Sequence, residues 1–164
     1  MNILKNAIDL HQKNKFEQAK NLYEKILEQE PKNFEATHLL ACLNIQIKNF
    51  DNASQLINRT INLNPKHHAP HNNLGVVYKE LKEYEKAIKA FTKAIELNPN
   101  YAEAYNNLAI SQKNLKLYEE AIKNFNKAIE LKKNYAEAYN NLGDRKSTRL
   151  NSSHVSESRM PSSA

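Results

Sequence analysis

The stretch YEKAIKAFTKAIELNPNYAEAYNNL, residues 84–108, returns as YEEAIKNFNKAIELKKNYAEAYNNL, residues 118–142, with 20 of the 25 positions identical. Recurrence at one fixed period, here about 34 residues, is the mark of a chain built from stacked copies of one small unit. Carried backwards, the same frame aligns Ala19, Ala53, Ala87 and Ala121, and it aligns Phe16, Phe50, Tyr84 and Tyr118. Four full units and the start of a fifth are present, at about 1–33, 34–67, 68–101, 102–135 and 136–143.

Each unit holds two apolar stripes with steps of three and four, such as Leu74, Gly75, Tyr78 and Leu81, then Ala87, Ile88, Phe91, Ala94 and Ile95. That spacing predicts two amphipathic helices per unit. Pro31, Pro65 and Pro99 fall between units, where they disfavour helix at the preceding residue and remove a backbone donor. Helices are therefore expected at about 2–14, 16–29, 34–48, 50–63, 68–82, 84–97, 102–116 and 118–131. One helix pair cannot cover its own apolar stripe, so successive pairs must stack on a shared core. The expected fold class is all-α, a right-handed α-solenoid of antiparallel helix pairs. Small residues at fixed slots, Ala41, Gly75 and Ala109 on one helix with Ala87 and Ala121 on the other, allow that approach. Gly75 and Gly143, the only glycines, stand two repeats apart in one slot and are expected to serve packing.

Composition narrows the function. Charged residues at 26% and apolar residues at 40% suit a folded soluble chain, and no run of about 18 apolar residues predicts a membrane span. The first residues, MNILKNAIDLHQKNKF, lack the form of a secretory signal, so a cytoplasmic location is the expectation. Net charge is +6, but lysine and glutamate alternate along residues 1–143 as on solvated helix faces, which argues against nucleic-acid binding. Cys42 is the only cysteine and is expected to pack as a small apolar side chain. His67, His68 and His71 straddle a loop and a helix start without metal-site spacing; they read as surface residues, and no metal or cofactor is expected. No nucleophile elbow, phosphate-binding glycine loop or metalloprotease motif occurs, so no enzyme is expected in these residues.

The pattern of Leu74, Gly75, Tyr78, Ala87, Phe91, Ala94 and Pro99, echoed by Tyr105, Leu108, Ala109, Ala121, Phe125 and Ala128, resembles that of tetratricopeptide repeat (TPR) proteins over about residues 1–143. Departures from it are Lys133 in place of the last proline, Gln112 in place of tyrosine, Asn6 at a leucine slot, and Asn14, Lys48, Lys82 and Lys116 at turns where glycine is common. With Asn6 there, the first helix is expected to pack loosely or fray. The resemblance implies a protein-interaction scaffold that takes an extended peptide or a partner helix in the concave groove of the stack. The double asparagines also resemble the arrays of O-linked N-acetylglucosamine transferases, which implies as an alternative the targeting arm of a larger glycosyltransferase. Family members that clamp acidic C-terminal tails do so with lysine, asparagine and arginine. The matching slots here hold Leu4, Ile8, His38, Cys42, Glu103 and Asn107, and only Asn73 agrees.

Composition changes at Asp144: residues 1–143 hold two serines and one arginine, whereas residues 144–164 hold seven and three. DRKSTRLNSSH and ESRMPSSA resemble the translated constant segments of a sequencing-library adapter, in the right order, with Val155 and Ser156 between them. Residues 144–164 are therefore expected to be a non-native, disordered tail, and the native chain is expected to continue past Gly143.

The candidate groove follows from helix geometry. On the first helix of a unit Tyr105, Leu108, Ala109 and Gln112 form the core stripe, so the opposite face, at about 100° per residue, carries Glu103, Asn107, Ile110 and Asn114. Equivalent slots hold Asn73, Val76 and Glu80 in one neighbouring unit, and Glu137 and Asn141 in the other. An asparagine thus recurs at Asn73, Asn107 and Asn141, while the first two units place Lys5 and Leu39 there. An amide can donate to and accept from a peptide unit at once, which suits holding an extended backbone; the resemblance to transferase arrays implies such an asparagine ladder. The alternative is that asparagine is only a tolerated polar residue in an asparagine-rich chain.

Overall fold

A computed structural model describes residues 3–143, and all the regular secondary structure in them is helical. Eight helices run α1 Ile3–Gln12, α2 Phe16–Gln29, α3 Phe34–Gln46, α4 Phe50–Leu63, α5 His68–Glu80, α6 Tyr84–Leu97, α7 Ala102–Asn114 and α8 Tyr118–Leu131. A further helical run, 136–143, reaches the edge of the described residues. The adapter-like residues 144–164 lie outside them.

Every second helix begins where the period places it, but α1, α3, α5 and α7 end two residues earlier than the apolar pattern suggests. The cause is the same at each end. Asn14, Lys48, Lys82 and Lys116 take left-handed backbone, with φ of 57°, 60°, 61° and 62°. In α5 the N–H of Lys82 donates to the Lys79 carbonyl (3.0 Å) and that of Glu83 to the Tyr78 carbonyl (2.8 Å). This pair of bonds satisfies the last helical carbonyls and turns the chain back on itself. The same pair recurs after α1, α3 and α7, through Lys15 to Leu10 (2.9 Å), Asn49 to Asn44 (2.8 Å) and Leu117 to Gln112 (2.9 Å).

The described chain divides into two compact units, one ending at Pro99 and the other beginning at Asn100. In the first, α1 packs on α2, α3 on α4 and α5 on α6, and the pairs join through α2 on α3 and α4 on α5. Its core has two parts. Ala7, Ala19, Tyr23, Leu40 and Leu43 form one, and Ala41, Ala53, Ile57 and Val77 the other. In the second unit α7 packs on α8 around Ala109, Ala121 and Phe125.

One small residue faces one large residue in each pair. Ala7 shares a core with Tyr23, Ala41 with Ile57 and Ala109 with Phe125. Gly75 is the extreme case: a Cβ there would fall 2.5 to 2.8 Å from the Phe91 ring carbons, inside van der Waals contact. Despite Asn6, α1 is regular from Ile3, because Ala7 is fully buried and Leu4 and Leu10 lie against the core beside it. Lys133 keeps the turn that proline makes elsewhere. The Tyr135 N–H donates to the Lys132 carbonyl (3.0 Å), as Asn33 does to Glu30 (3.0 Å) and His67 to Asn64 (3.2 Å).

Candidate functional site

In the first unit, the groove residues Asn73, Val76 and Glu80 lie along α5 at steps of three and four. Asn73 and Val76 are half-buried and Glu80 is exposed, with its carboxylate 3.9 Å from the Lys79 ammonium. The Asn73 amide donates to Cys42 Sγ at 3.2 Å, across to α3. Cys42 is half-buried rather than fully packed away, and its sulfur lies 3.8 Å from His38 Nε2.

In the second unit Glu103 stands exposed in the first turn of α7, where a carboxylate favours the helix dipole. Asn107 retains only 7% of its surface, so a partner meets little of it. Ile110 leans on the Ala109, Ala121 and Phe125 core together with Leu142, and so divides between core and face. Asn114 is exposed and returns its amide to the Ile110 carbonyl one turn back (2.8 Å). Asn141 is half-buried and donates to Asn106 Oδ1 at 3.3 Å, while the Asn106 amide donates to Glu137 Oε1 at 3.1 Å.

Asn106 is not singled out by periodicity. It is 1% exposed, beside the ladder slot rather than in it, and Asn72 is fully buried at the same place in α5. Burying an amide without partners is costly, so Asn106, bonded to two side chains, fastens this seam. The signal was available in the repeated pair "NN" itself, whose first asparagine falls at a core-facing slot. Tyr135 belongs to the same corner. Burial first, then the Glu137 and Glu103 carboxylates, push its phenol up to about 12. Tyr23 in the first unit is also pushed up to about 12, by burial first and then by Cys42 and Glu35.

The three histidines predicted to be surface residues are all half-buried. His67 is the N-cap of α5 and accepts the Ala69 N–H at Nδ1 (3.3 Å). Its ring lies on that of His68, with centroids 5.1 Å apart and planes at 7°. His71 Nε2 reaches the Pro65 carbonyl at 3.3 Å. A cap and a ring stack explain this placement, and periodicity carries no sign of either. Among the described residues no group of three or more histidine, cysteine or acidic side chains is arranged to hold a metal ion. Nor is any described helix long and apolar enough to cross a membrane.

Family models for the tetratricopeptide repeat match residues 10–74, 69–101 and 90–123, and a TPR repeat model matches 117–144, so that together they run unbroken from 10 to 144. The chain belongs to the tetratricopeptide repeat family. No match was found among curated proteins. Among solved structures, the TPR chain is similar to MamA, at 25% identity and a TM-score of 0.76, over 87% of this chain and 84% of that one. It is similar to YrrB, described as a TPR protein with an unusual peptide-binding site, at 22% identity and a TM-score of 0.69, over 91% and 77%. It also resembles the first TPR of Spaghetti (RPAP3), solved with the HSP90 peptide SRMEEVD, at 22% identity and a TM-score of 0.68, over 71% and 93%. The helix-pair α-solenoid expected from the repeat period is thus the fold class of the TPR proteins it matches.

Proposed function

We propose that the chain is a protein-interaction scaffold, holding an extended peptide against the first helices of its pairs. The observation that carries this reading is the return of an asparagine to one slot of α5, of α7 and of the helical run 136–143, as Asn73, Asn107 and Asn141. An amide both donates and accepts, so one side chain can grip a peptide unit without reading the residue that carries it. Val76 and Ile110, half-buried beside the asparagines, supply apolar surface, and Glu80 and Glu103 supply charge at the rim. The peptide-bound relative and the peptide-binding site described for YrrB lend support at the level of the family.

The test is binding to an array of unstructured ten-residue peptides, with every hit remeasured on the Asn73→Ala/Asn107→Ala double variant. Removing two amides is expected to weaken hits by roughly 1–3 kcal/mol in total while the helical fold is kept, read by circular dichroism. A double variant that folds and binds like the parent places the groove elsewhere.

A further inference from the structure

We propose that the ring cluster joining α3 to the start of α5 is a proton-operated latch: with its three histidines uncharged it holds the second and third helix pairs together, and mild acid loosens that seam. The latch is independent of where a peptide binds.

Four rings meet here, all within the first unit. Phe34 and His38, one turn apart on α3, are stacked at 6.0 Å and 10°. Phe34 lies 4.9 Å from His67 and His38 lies 6.2 Å from it, and His67 stacks on His68. Each imidazole is set in its uncharged form. His67 caps α5 by accepting at Nδ1, which a proton on that nitrogen would forbid. His68 Nε2 lies 3.4 Å from the Asn98 amide nitrogen, which carries only donor hydrogens, so this nitrogen too must accept. His38 has Nε2 against the Cys42 sulfur and Nδ1 buried without a hydrogen-bond partner, so a proton added there would bury an N–H cation with no acceptor.

The ionisable groups that act on His38 come from α5 and its cap, namely His67 and His68, and the Cys42 sulfur lies against it on its own helix; His67 also acts on His68. The other side chains at the cluster are Phe34 from α3 and Asn98 from the end of α6, both uncharged. Burial first, then its neighbouring imidazoles, holds His38 below the ordinary histidine range, and burial followed by His67 does the same for His68. A histidine lowered in the folded chain gives stability that is complete above the unfolded value of about 6.5 and is lost as pH falls below it, because the unfolded chain takes the proton first. Cations at His38 and His68 would then act together on one seam.

The experiment compares melting temperatures of the whole chain at pH 7.5 and pH 5.5, and follows the histidine side chains of the folded protein by NMR titration. The parent is expected to lose about 3 °C or more on acidification. The His38→Phe/His68→Gln double variant should lose less than half of that, and His71→Gln, outside the ring cluster, should lose as much as the parent. In the parent, the His38 ring should titrate below 6.5, a reading that needs no variant to fold. Equal melting temperatures at the two pH values overturn the latch, as does an undiminished acid loss in the double variant or a His38 titration at or above 6.5.

Discussion

Gly75 and Ala109 occupy one slot in successive repeats, yet they do not tolerate the same side chain. The Cβ that Ala109 carries fits above Phe125, whereas one added at Gly75 would enter the Phe91 ring. Gly75→Ala should therefore cost roughly 1–3 kcal/mol by overpacking, although alanine favours helix intrinsically. Ala109→Gly should cost about 1 kcal/mol for the opposite reason, the lost helix propensity. Urea unfolding at fixed pH measures both, and a Gly75→Ala variant as stable as the parent would show that Phe91 can swing aside. The phenols are a second residue-scale check. With Tyr23 and Tyr135 pushed to about 12, ultraviolet titration of the folded chain should show two tyrosines ionising well above the ordinary value near 10. Since the unfolded chain loses those protons first, stability should be intact below pH 10 and fall as pH rises from there toward 12. Gly75 was legible as a packing glycine because the period alone put it in a crowded slot. The partnership of Asn106 with Glu137 and the stack of His67 on His68 were not, since a repeat frame assigns slots but not the rotamers that decide who bonds to whom.

The helices were legible from their apolar stripes, and their starts agreed to the residue from α2 to α8. The ends of α2, α4, α6 and α8 agreed as well, but those of α1, α3, α5 and α7 did not, because the stripe runs on through residues that have already left the helix. Ile47 and Leu81 continue the apolar pattern, yet they stand exposed at the caps of α3 and α5. What stops each helix is the residue that follows in left-handed backbone, at a position where lysine gives no warning. For a residue with a Cβ that conformation costs roughly 1–2 kcal/mol, and glycine escapes it while losing about 0.5–1 kcal/mol of chain entropy. Lys82→Gly and Lys116→Gly should each stabilise the protein by about 0.5–1 kcal/mol, read as a rise in denaturation midpoint with unchanged slope. A fall in midpoint would mean that the lysine stems contribute packing that outweighs the strain.

On the scale of the molecule, the first unit holds three complete helix pairs, about the number at which stacked repeats become stable alone, and the second holds one pair with the run 136–143. A fragment of residues 1–99 should fold with a cooperative melt by circular dichroism, whereas residues 100–143 alone should not. A stable short fragment would show that one pair suffices here. Peptide choice also belongs to this scale. Despite a net charge of +6, the acidic peptide SRMEEVD should show no measurable affinity at physiological salt, because Leu4, Ile8 and Glu103 stand where the clamp of acidic-tail binders requires cations or amides. The small-against-large pairing has a consequence for how such a chain can change over generations. Each pair of complementary residues, Ala7 and Tyr23, Ala41 and Ile57, Gly75 and Phe91, Ala109 and Phe125, lies inside one repeat, with one member on each of its two helices. Duplication or exchange of a whole repeat carries lock and key together. A crossover between the two helices of a repeat would seat Ile57 over Gly75 and leave a hole. Recombination should therefore leave its surviving breakpoints in the turns between pairs.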